Sequence, residues 1–78
     1  MSPEQEKAMP DMVYVDSVSI AAVGYDGDSQ ELHVQFVSGE TYAYQNVPPT
    51  IFDAFIAAPS KGSYFNREVK PAYQHRKL

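Results

Sequence analysis

His33 and His75 are the only imidazoles in this 78-residue chain, and cysteine is absent. A bound metal ion needs three or four close ligands. Neither histidine stands at ligand spacing from the other or from clustered acids, so no metal site is expected. Ser38, His33 and Asp16 have the residue types of a nucleophile, a base and an orienting acid, but nothing in their spacing draws them together. Asp26 and Asp28 flank Gly27, which suits a turn with solvated carboxylates better than an acid–base pair. The chain is therefore read as non-enzymatic, without metal or cofactor, and as working by binding.

Groups suited to binding lie late in the chain. Residues 1–60 hold nine acids against Lys7 alone, whereas residues 61–78 hold five bases against Glu68. The net charge of -4 argues against tight sequence-independent binding to phosphate backbones, but its polarity directs any anionic partner to the C-terminal end. There Lys61, Arg67, Lys70, Arg76 and Lys77, with His75, are interleaved with Tyr64, Phe65 and Tyr73, a basic-aromatic pattern of the kind that holds RNA. Solvated surface charge is the plain alternative. Ser60-Lys61-Gly62-Ser63 offers hydroxyls, backbone N–H groups and an ammonium to an anion, although the same residues also make an ordinary helix connection with a serine cap. The candidate anion or RNA set is Lys61, Gly62, Ser63, Tyr64, Arg67, Lys70, Tyr73, Arg76 and Lys77.

These groups need elements to position them. At 44% hydrophobic and 13% aromatic residues the chain carries too much apolar material to stay disordered, yet its length supports one small core. Residues 1–14 are polar and unpatterned and read as a flexible tail, with the domain over residues 15–78. A strand is expected over residues 17–26, with Gly24 marking a bulge or close approach, then a turn at Asp26-Gly27-Asp28-Ser29. Glu31 to Phe36 alternates, with Leu32, Val34 and Phe36 on one face and Glu31, His33 and Gln35 on the other.

The next turn decides where two tyrosines point. A three-residue loop, Val37-Ser38-Gly39, needs positive φ only at Gly39. It sets Tyr42 against Val34 and Tyr44 against Leu32, on the apolar face. A two-residue loop would swing both to the polar face, where they could stack bases. The three-residue loop is preferred, which makes the pair core. Asn46-Val47-Pro48-Pro49 ends the strand, and Thr50 is expected to cap a helix through residue 58 bearing Phe52 and Phe55. Pro59 closes it, a second short helix ends near Val69 before Pro71, and residues 74–78 are extended and available to a sheet edge. The expected fold is α+β: a three-stranded antiparallel meander packed against one or two short C-terminal helices, with Leu32, Val34, Phe36, Tyr42, Tyr44, Phe52 and Phe55 as core.

Ser19-Ile20, Val23-Gly24-Tyr25, Leu32 to Phe36 with Gly39, Tyr42-Ala43-Tyr44, Val47-Pro48, the run from Ala58 to Asn66 and a late Tyr73 together resemble the KTSC domain, named for its occurrence at the C-terminus of some lysyl-tRNA synthetases. The resemblance spans about residues 17 to 78 and rests on the order of the segments rather than on one motif. It implies a domain found as a synthetase appendage or as a small free-standing bacterial protein, with no established activity and a suggested affinity for RNA. With no apolar run of membrane-crossing length and no signal-like start, the expectation is a cytoplasmic bacterial or phage protein. Its expected partner is RNA, either tRNA or single-stranded. The alternative is a protein-interaction module or small regulator that docks on another protein through a sheet edge.

Overall fold

The computed structural model describes residues 11–78. Five strands follow in order, β1 (Met12–Tyr14), β2 (Ile20–Asp26), β3 (Glu31–Phe36), β4 (Thr41–Tyr44) and β5 (His75–Lys77), with α1 (Pro49–Ala57) and α2 (Lys61–Tyr64) between the last two. Helix α2 runs directly into a π-helical turn over Phe65–Val69. The strands form one antiparallel sheet in the spatial order β1-β2-β3-β4-β5. The α+β class and the antiparallel meander hold, but the expected three strands are five. The two additions are the edges, each three residues long and mostly or wholly exposed. Met12–Tyr14, at the end of the expected tail, is thus an edge strand; residues 1–10 lie outside the described part.

Alternation builds β3, and its turn sets the register of everything after it. Gly39 sits at φ +104°. Its N–H donates to the Phe36 carbonyl and the Phe36 N–H to Glu40, both at 2.8 Å. Leu32 therefore lies opposite Tyr44 and Val34 opposite Tyr42, the pairing a three-residue loop requires. At the other end of β3, the Asp26 carboxylate accepts from the Asp28 N–H at 3.0 Å and fixes the preceding turn.

The bulge lies elsewhere than expected. The β2–β3 register shifts between Ile20 and Ala22, not at Gly24, which pairs regularly with His33. The extra residue lets Ile20 and Val23, three apart, both point into the core, where each is fully buried. Helix α1 likewise starts differently. Pro48 is the N-cap and Pro49 the first helical residue, so Thr50 caps nothing; proline's fixed φ begins the helix with no donor to satisfy.

Both helices lie over one face of the sheet. Leu32, Val34, Tyr44 and Phe55 are buried with Ile20, Val23, Val47, Phe65 and Val69, while Phe36, Tyr42 and Phe52 pack half-buried at the margin. Tyr25 stacks on Phe52 with ring centres 5.1 Å apart and donates its hydroxyl hydrogen to the Val47 carbonyl, tying the β4–α1 connection back to β2. The π turn, closed by the Lys70 N–H to the Phe65 carbonyl at 2.9 Å, keeps Phe65 and Val69 both buried.

Candidate functional site

Along the seam between the sheet and α2 run two adjoining depressions that share Ser19 and Asn66. One, of about 280 Å³, is lined by Phe36, Tyr42, Tyr44, Phe65, Lys70 and His75 in addition to the shared pair. Its rings are locked edge to face: Phe36 on Phe65 at 5.4 Å, Tyr44 on Phe65 at 5.3 Å and Tyr42 on His75 at 5.4 Å. Each strand contributes through parity. Tyr42 and Tyr44 lie on the helix-side face of β4, and His75, opposite Tyr44, lies on the same face of β5. Tyr44 is only 3% exposed, and burial, then the neighbouring Tyr42, raises its phenol pKa.

The second depression, of about 490 Å³, is polar and lies among Asp16, Ser17, Ser60, Lys61 and Ser63. Its groups are largely occupied with one another. The Ser60 hydroxyl caps α2 by accepting from the Ser63 N–H at 3.3 Å, and the Lys61 ammonium donates to the Ala58 carbonyl at 2.8 Å. Gly62 is where the β1–β2 loop presses on α2, since a Cβ there would stand 3.0 Å from the Ser19 hydroxyl.

The remaining cations do not gather. By register Arg76 projects from the opposite face of the sheet, where it bonds Glu31 at 2.8 Å; Glu31 in turn reaches His33 Nε2 at 3.2 Å. Arg76 is the main reason that the Glu31 carboxyl titrates below the usual glutamate range. His33 is 2% exposed, and its Nδ1 has no hydrogen-bond partner. Lys77 pairs with Glu40 at 3.6 Å. Arg67 pairs with Glu68 at 3.1 Å and lies 6.0 Å from the Tyr64 ring. Tyr64 stacks on Phe55, and Tyr73 packs half-buried on the core. Among the described residues Lys70 is the one basic side chain engaged by no ion pair, hydrogen bond or ring contact.

Of the expected binding residues, Lys61, Gly62, Ser63 and Lys70 thus line one seam. Tyr64, Arg67 and Tyr73 border α2 without lining either depression, and Arg76 stands on the far face. Tyr42 and Tyr44, assigned to the core, also line the groove, together with Phe36, Asn66 and His75. Ser38, His33 and Asp16 stay apart in the hairpin turn, the far face and the polar depression. No group of three His, Asp or Glu among the described residues could hold a metal ion.

A family model of the KTSC domain matches residues 16–73. The chain belongs to the KTSC domain family. A crystal structure of a KTSC domain protein from Yersinia pestis, 35% identical, superposes with a TM-score of 0.84 and covers 90% of this chain and 99% of that one. A protein of Tsukamurella paurometabola is 45% identical over 60 residues, covering 77% of this chain and 90% of that protein. A lysine–tRNA ligase of Nostoc punctiforme is 36% identical over 59 residues, 76% of this chain but 10% of the ligase. The matched KTSC span takes in the bulged strand, the Tyr-x-Tyr strand and both helices. It stops before β5, which supplies His75 to the groove. No described helix is long and apolar enough to cross a membrane.

Proposed function

We propose that this KTSC domain is a non-catalytic accessory module that binds RNA through the groove between the sheet and α2. The observation that carries the reading is the meeting of aromatic rings with an uncommitted ammonium. Phe36, Tyr42 and Phe65 offer ring surface beside Lys70, and base–aromatic stacking contributes about 1–3 kcal/mol per base without demanding a particular sequence. The presence of a similar domain within lysine–tRNA ligases agrees with a tRNA-sized partner in the cytoplasm. Of the cations in the late basic segment, Lys70 and Lys61 serve this surface; Arg67, Arg76 and Lys77 are neutralised locally. The test is titration of the labelled protein with bulk tRNA at low and moderate salt. Binding that falls with salt and weakens in Lys70→Glu supports the reading, and no binding at low salt overturns it.

A second reading, a protein-interaction module of a bacterial or phage regulator, has its own observation. The outer edge of β1 is unpaired in the described sheet, and Val13 and Tyr14 on it are 53% and 82% exposed. Such an edge can accept a partner strand. Protection of the β1 amides by a protein partner in hydrogen exchange, with none in the groove, would favour it.

A further inference from the structure

We infer that the groove takes one unpaired nucleotide, its base against Tyr42 and Phe65 and its phosphate on Lys70, with the strand leaving over the serine-lined depression. This rests on the RNA reading and adds to it a site, a stoichiometry and a requirement for single strand.

The size of the aromatic depression sets the first limit. At about 280 Å³, closed at its base by buried Phe65 and Tyr44, it has room for one heterocycle with its sugar and none for a duplex. Polar groups ring the aromatic floor: the Asn66 amide can pair with a base edge, and Ser19 with a sugar or base oxygen. Ring-on-ring contacts hold Tyr42, Phe65 and His75 before any ligand arrives, so little side-chain freedom is lost on binding.

Charge sets the second limit. Lys70 lines the aromatic end and Lys61 the polar end. Asp16 stands across the polar depression and repels a further phosphate. Only one or two phosphates are neutralised. A duplex, which is recognised through its backbone, would need cations spread over a face, but Arg76 and Lys77 point to opposite faces of β5 and each is paired with a carboxylate. The groove therefore selects a looped-out or terminal nucleotide of a structured RNA.

The salt slope and an abasic probe test this together. The probes are a single-stranded RNA hexamer, the same hexamer abasic throughout, and its duplex, followed by NMR shifts and by quenching of tyrosine emission, which no tryptophan masks. The single strand is expected to bind with shifts at Tyr42, Phe65 and His75. The plot of log affinity against log salt should have a slope of about -0.7 to -1.4, against about -3.5 were all five late bases used. The abasic strand and the duplex should bind at least about tenfold more weakly, the loss of one stacked base. Lys70→Gln should weaken the single strand about five- to tenfold, Tyr42→Phe should retain binding, and Lys77→Gln should change nothing. Equal binding of abasic and intact strands, or a Lys77→Gln effect as large as that of Lys70→Gln, overturns the one-nucleotide site while RNA binding stands. Failure of every RNA at low salt overturns both.

Discussion

The two faces of the sheet handle polar groups in opposite ways. On the helix side, Tyr42, Tyr44 and His75 stand at the edge of a three-dimensional core, and the nearby Lys70 ammonium is left uncommitted. On the opposite side the small residues Ala22, Gly24 and Ala43 flank His33, and Glu31 joins His33 to Arg76 in a closed chain of hydrogen bonds. The same late basic segment supplies both faces. A count of bases therefore overstates the positive surface open to a ligand, because adjacent residues of one edge strand are sent to different sides and only some meet acids.

The strongest attack on this contrast is Phe55→Ala, which empties the centre of the helix-side core. It should lower unfolding free energy by about 3–5 kcal/mol in urea melts. On the opposite face Glu31→Gln should cost about 1–2 kcal/mol near neutral pH, since Arg76 loses its counter-charge and His33 keeps a weaker partner. That variant also carries a pH signature. The folded pKa of Glu31 is depressed, so its stabilisation is present above the ordinary glutamate pKa of about 4.3 and is lost as pH falls through the folded value. Urea midpoints measured downward from pH 5 should fall more steeply for the native protein than for Glu31→Gln. Gly39→Ala strains the residue that keeps the two faces in register and should cost about 1 kcal/mol without shifting the melting cooperativity. Smallest of all, Lys70→Gln should alter stability by less than about 0.5 kcal/mol, because its side chain is engaged in no contact that folding would lose. A larger loss there would mean that Lys70 is structural, and the contrast between the faces would fail.

The strongly patterned middle of the fold was legible from sequence. Three alternating apolar residues in β3 and one glycine that tolerates φ +104° were enough to place Tyr42 and Tyr44 on the helix side. The edges were not, since Met12–Tyr14 and His75–Lys77 are three-residue strands with no buried face to leave an alternation. That omission governed the site. Whether His75 or Arg76 faces the helices depends on the parity of β5, which is set by its backbone pairing with β4 and leaves no trace in residue type. Tyr64 and Tyr73 looked available because they stand among bases, but Tyr64 stacks on Phe55 and Tyr73 packs half-buried on the core. Asn66 carried no signal at all. It lines the groove because it lies one residue beyond buried Phe65 in the π turn.

That turn also sets how the segment tolerates change in chain length. A π turn carries one residue more than the α-helical turn it replaces, and each helical residue rotates the downstream chain by about 100° around the helix axis. Removal of a single residue between Phe65 and Val69 would let the helix continue as regular α, with Lys70 and the approach to β5 rotated by that angle relative to Phe65. In this stretch a one-residue gap is a change of phase more than of length. Relatives with such a gap would keep the sheet and lose the aim of the lysine.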